Sequence, residues 1–143
     1  MCIRDSNVIF TTMLSPAVGP LVPYAATRGM LSLVMAGGLH DRKSLPPELV
    51  DAMHRCGLLP GHPRAFRSLS QQWRSWIAAR DNYPSIDLPV TLAYGQEDWS
   101  VPAERDANTK TIPGARAVTL DNAGHFSCLE KPTEIASLIT AAT

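Results

Sequence analysis

Residues Pro89–Pro102 read PVTLAYGQEDWSVP. Val90–Tyr94 is a short apolar, β-branched and aromatic run between a proline and a glycine, the profile of a buried strand. Gly95 opens a tight loop carrying the acidic pair Glu97-Asp98. Pro102 suits the first turn of a helix that continues through Ala103, Glu104 and Arg105 to Lys110. A second strand, loop and helix follow. Ile112-Pro113-Gly114 closes the first helix, Ala115–Leu120 is the second strand, Asn122–Phe126 (NAGHF) is another glycine-bearing loop, and Pro132–Thr140 is a last helix. Strand, helix, strand, helix in this spacing predicts two parallel strands joined by a right-handed crossover, hence an α/β fold.

Parallel α/β sheets gather functional residues where strands end and loops begin. Both loops leave strand carboxyl ends, and each carries an ionisable candidate: Asp98 in the first and His125 in the second, 27 residues later. Neighbouring strands lie roughly 5 Å apart, so the two side chains come within hydrogen-bond reach. A carboxylate against an imidazole fixes its tautomer and stabilises the imidazolium. Glu97 competes with Asp98 for the acid's place but is expected to face solvent. Trp99 and Phe126 each follow one of the two candidates directly. Packing is the simpler reading for both, and substrate contact the functional one. His40, His54 and His62 have no partner visible in the sequence and read as surface residues. Asp106 and Asp121 read as exposed charges, and Cys128 as a small buried residue.

The region before residue 86 differs in pattern. A helix start is expected over Asn7–Leu14, a loop through Pro23, and a helix from Tyr24 to Met35 stopped by Gly37-Gly38. A further helix is expected from a capping Ser44 to about Cys56, and one long amphipathic helix over Arg64–Arg80. The chain has 143 residues, 45% of them hydrophobic, enough for one ordinary domain. Thirteen basic and 13 acidic residues balance, which gives no electrostatic reason to expect nucleic acid or an acidic membrane as partner. No apolar run reaches membrane-span length. The 3 cysteines form neither a metal-ligand spacing nor an even disulfide framework, so no metal is expected and a reducing cytoplasm is the default compartment.

Residues 86–143 resemble the C-terminal part of α/β-hydrolase-fold proteins. The pieces that carry the resemblance are PVTLAYG, GQEDWSVP, IPGA, NAGHF and EKPTEIASLI, in that order. It implies that Asp98 and His125 are two members of a nucleophile–acid–histidine triad, and that residues 7–85 resemble a helical cap or lid. It also implies a small-molecule substrate and no cofactor. The expected chemistry is serine-type hydrolysis of esters or related acyl bonds. The same fold also hosts epoxide hydrolases and dehalogenases with an aspartate nucleophile, and non-catalytic binding members. In this fold the nucleophile stands on a G-x-S-x-G elbow. No serine here has glycine at both −2 and +2, no Asp or Cys occupies such an elbow, and no H-G-G loop occurs; Gly37-Gly38-Leu39-His40 has the wrong order. Met1–Ser6 (MCIRDS) resembles the translation of a transposon-end sequencing adapter. Residues 1–6 are therefore expected to be a scar, the elbow to belong to upstream sequence, and the isolated chain to be inactive.

Overall fold

The structure is a computed structural model that describes residues 12, 14–15, 17–19, 21–25 and 27–141. The adapter-like hexapeptide and most of the helix expected over Asn7–Leu14 lie outside the described residues. Along these residues run α1 (Arg28–Gly37), α2 (Pro47–Gly57), α3 (His62–Gln71), α4 (Trp73–Ala78), β1 (Thr91–Gly95), α5 (Pro102–Thr111), β2 (Arg116–Leu120), α6 (Ser127–Glu130) and α7 (Pro132–Thr140). Short 3-10 turns occupy Val22–Ala25, Arg42–Ser44 and Ala79–Ser85. The chain forms two compact units. A sheet unit comprises Met35–Leu45 and the described residues from Arg80 onward; a helical unit comprises the described residues up to Val34 and Pro46–Ala79.

In the sheet unit β1 and β2 pair in parallel, with Thr91 opposite Arg116 and Gly95 opposite Leu120. The crossover between them is α5, which lies against β2. Pro102 stands in its first turn, where a missing N–H costs nothing, and Glu104 and Lys110 complement the helix dipole at its two ends. Gly114 takes φ 69°, which lets the chain reverse into β2. Backbone bonds extend the pairing past both strand ends: Arg116 N–H donates to Val90 O at 3.0 Å, and Gln96 N–H to Leu120 O at 2.9 Å. Ile112, Leu120, Ala123, Leu39 and Met35 are buried. Leu88 and Ile139 remain exposed.

In the helical unit Val50 of α2 is the most deeply covered large side chain, at 1% exposure, and Ser70 of α3 is also buried. Arg28 and Asp51 form an exposed ion pair there. A cavity of about 460 Å³ is lined by Leu31, Met53, His54, His62 and Phe66 among others; neither Asp98 nor His125 lines it. Among the described residues no helix is long and apolar enough to cross a membrane.

Three expectations about the helices differ from the structure. The single helix over Arg64–Arg80 is divided at Gln72, with no glycine or proline to mark the place. The hydroxyls of Ser70 and Ser75 donate to the carbonyls of Phe66 at 2.8 Å and Gln72 at 2.7 Å. Such back-bonding competes with the helical ladder and bends it. Ser44 does not cap α2: it sits in the preceding 3-10 turn, and Pro46 holds the cap position without a side-chain bond. The helix expected from Tyr24 begins only at Arg28, after the 3-10 turn.

Candidate active site

The geometry of the site begins with how closely the two strand-end loops approach. Gly95 ends β1 against the backbone of the β2 loop, so a methyl group there would collide with the carbonyl oxygens of Gly124 and Ala123. That proximity permits Glu97 N–H to donate to Ala123 O at 2.9 Å, while Asp98 N–H donates to Gly95 O at 3.1 Å. Asn122 takes φ 52°, a left-handed position that asparagine tolerates. The loops are thus joined by backbone bonds before any side chain acts.

Asp98 and His125 meet across this junction, with His125 Nδ1 at 3.2 Å from Asp98 Oδ1. The same oxygen accepts Ser100 N–H at 2.7 Å. The Asp98 side chain is 11% exposed and that of His125 30%. Burial pushes the Asp98 pKa up and is the largest single influence. The amide and hydroxyl of Ser100 and the His125 imidazole together outweigh it and hold the carboxyl below its ordinary value. An ionised carboxylate only accepts, so the proton of the shared bond belongs to His125 Nδ1 and the basic nitrogen is Nε2.

Two aromatic rings brace the imidazole. Trp99 stacks on it with centroids 4.4 Å apart and planes at 22°, and Phe126 meets it edge-on at 5.2 Å. Trp99 and Phe126 also touch each other edge-to-face at 5.5 Å. Both are tied to the Gly37-Gly38 pair at the end of α1. Trp99 Nε1–H donates to Gly37 O and Phe126 N–H to Gly38 O, each at 3.2 Å. A methyl at Gly38 would strike both rings. The two aromatics therefore hold the histidine's ring plane, whatever else they touch.

Glu130 closes the same corner. Its carboxylate accepts Gly124 N–H at 2.7 Å and Asp41 N–H at 2.8 Å. Burial raises its pKa most, but the amides of Gly124, Asp41 and His40 overcome that and lower it. Sequence reasoning missed Glu130 because nothing local marks a carboxylate that caps a distant loop; its place in EKP was the one available signal. His40, which sequence alone left without a partner, lies with Nδ1 at 2.7 Å from Glu97 Oε1. Glu97 stays exposed, as do Asp106 and Asp121. Cys128 is exposed, contrary to expectation: in the single turn of α6 its neighbours Ser127, Leu129 and Glu130 take the more covered positions.

Asp98 and Glu130 both have depressed folded pKa values, which fixes the sign of the acid response. Their contribution to stability is complete above the ordinary values of 3.8 and 4.5 and is lost as pH falls through the lower folded values. Glu130→Gln is expected to cost about 1 kcal/mol at pH 7, the low end for bonds to a partly solvated charge. It should also shrink the loss between pH 7 and pH 3. Urea midpoints at the two pH values check this; equal losses in both proteins would show that the Glu130 bonds contribute nothing.

A parallel strand pair joined by a helical crossover, with an acid and a histidine meeting at its carboxyl edge, is the C-terminal part of an α/β-hydrolase fold. The solved structure of Cfl2 from Burkholderia cenocepacia matches with a TM-score of 0.76 and 17% identity, covering 92% of this chain and 46% of that one. The 2-hydroxy-6-oxo-6-phenylhexa-2,4-dienoate hydrolase of Rhodococcus sp. strain RHA1 matches with a TM-score of 0.69 and 18% identity, covering 85% and 46%. By sequence the chain is 28% identical over 87 residues to Protein ABHD14A of Rattus norvegicus, covering 60% of this chain and 32% of that protein. The chain thus spans less than half the length of each of these three proteins. No family model matches it.

Proposed function

We propose that this chain carries the acid and the base of a hydrolase, with Asp98 as acid and His125 as base, acting on small-molecule esters or related acyl compounds. The observation that carries the reading is the His125 Nδ1–Asp98 Oδ1 contact at 3.2 Å at the ends of two parallel strands. Its support from known proteins is the fold shared with solved hydrolases. In this scheme His125 Nε2 takes the proton of a nucleophilic hydroxyl as its oxygen attacks the acyl carbon. The imidazolium returns that proton to the leaving alkoxide. Nε2 then takes a proton from water as its oxygen attacks the acyl carbon, and the imidazolium gives that proton to the nucleophile's oxygen as its bond to the acyl carbon breaks and the acid departs. Asp98 keeps Nδ1 protonated and balances the imidazolium charge. The scheme uses no cofactor. Trp99 and Phe126 would flank the acyl group, and the helical unit would belong to the cap. The proposed compartment is the cytoplasm.

The nucleophile has no candidate elbow in this sequence. The 143-residue chain is therefore expected to release no p-nitrophenol from p-nitrophenyl esters above the buffer rate. A protein extended upstream through a strand–elbow–helix segment should do so. Turnover by the chain alone that disappears in His125→Ala would overturn the claim that the nucleophile lies elsewhere. An extended protein with an intact elbow but no hydrolytic activity would overturn the functional reading itself.

A further inference from the structure

Arg105, in the first turn of α5, points back under the Asp98 loop. Its Nε–H is shared between Ser100 O and Ser100 Oγ, both at 3.0 Å. Nη1 donates to Gly95 O at 3.0 Å, and Nη2 to Asp98 O at 3.1 Å and Ser100 O at 2.7 Å. The guanidinium also lies over the Tyr94 ring, 5.4 Å from its centroid. One side chain thus gathers the carbonyls at the start, middle and end of the loop that presents the acid. Among the described residues its charge meets no carboxylate at ion-pair distance. Its partners are backbone carbonyls and one hydroxyl.

That hydroxyl matters. Ser100 is 8% exposed, and its oxygen accepts from Arg105. With the acceptor side engaged, the O–H is left for the Asp98 carboxylate, to which Ser100 is also bonded through its amide. We infer that Arg105 is a positioning residue for the acid of this site: it fixes the Gly95–Ser100 loop and the Ser100 hydroxyl so that Asp98 faces His125. The inference rests on the proposed reading of Asp98 and His125, but its geometry stands in this chain alone. A lysine would not substitute, because one ammonium cannot span three carbonyls in a plane as a guanidinium does.

The test is made on the whole 143-residue chain and needs no turnover. Amide exchange of Ser100 and the carboxylate titration of Asp98 are followed by NMR in the wild type, Arg105→Gln, Arg105→Lys and Ser100→Ala. In Arg105→Gln the Ser100 amide should exchange roughly tenfold faster, the factor equivalent to about 1.4 kcal/mol, while the amides of the β1–β2 ladder keep their protection. The Asp98 midpoint should move up, and it should move the same way in Ser100→Ala. Arg105→Lys, which keeps the charge, is the variant to read if glutamine unfolds the chain, and it should show the same two changes in smaller measure. Unchanged Ser100 exchange and an unchanged Asp98 midpoint, or equal loss of protection across the ladder, would overturn the inference and leave Arg105 a general stabiliser. The functional reading fails separately, by loss of the His125 dependence of ester turnover in an extended protein.

Discussion

His125→Ala in an extended protein that carries this segment is expected to lower kcat for ester hydrolysis by roughly 10⁶-fold, the cost of removing the base from a triad that acts as a unit. KM should change little, because the lost interactions form only as the nucleophile gives up its proton. Asp98→Asn should cost less, roughly 10⁴-fold. The shape of the site would survive, but an amide beside Nδ1 offers N–H donors where the carboxylate offered none. Nδ1 would then accept and Nε2 would carry the proton, leaving no base on the side that faces the nucleophile. The double variant should be no slower than His125→Ala alone. Initial rates against p-nitrophenyl esters of graded chain length would show all three outcomes. A loss under tenfold for His125→Ala would contradict its role as base.

The second large effect concerns packing rather than chemistry. Gly95→Ala is expected to cost about 3 kcal/mol or more, at the upper end for overpacking a buried site. Gly95 is buried, and the added methyl would meet carbonyl oxygens of Ala123 and Gly124, which are backbone atoms with no rotamer to change. Relief would require the two loops to part. That would break the Glu97–Ala123 and Gln96–Leu120 backbone bonds and withdraw Asp98 from His125. Gly124→Ala should behave similarly, since its methyl would press on Gly38 O and His40 N. Gly57→Ala is the control: nothing lies within 4 Å of the added carbon at the end of α2, so no loss is expected. Urea unfolding of the three variants, followed by far-UV circular dichroism, separates them. Equal stability of Gly95→Ala and Gly57→Ala would contradict the close loop approach.

The parts of this structure legible in the sequence are those set by local rules. Both strands are found within a residue or so of where β-branched runs between proline and glycine placed them, and Pro132–Thr140 is a helix with the bounds expected. The juxtaposition of Asp98 and His125 was also legible, because parallel pairing brings two successive strand-end loops together. What was not legible depends on partners distant in sequence or on competition within a helix. Glu130 binds Asp41, 89 positions away, and no periodicity encodes that. The division at Gln72 falls in a stretch whose hydrophobic spacing reads as continuous, with hydroxyls of Ser70 and Ser75 bonded to helical carbonyls on either side of it. In the sequence Arg105 is marked only as one residue of a helix's first turn. Its carbonyl partners were invisible until the loop before it had a shape.

The central claim is that Asp98 holds His125 as a base with its proton on Nδ1. The most direct measurement is the proton spectrum of the imidazole Nδ1–H in the 143-residue chain, assigned by nitrogen-15 labelling of histidine, in the wild type and in Asp98→Asn. The account predicts a far-downfield, slowly exchanging Nδ1–H signal from His125 that is lost in Asp98→Asn, while the β1–β2 amides are unchanged. Its absence from the wild type, or its persistence in the variant, would contradict the account.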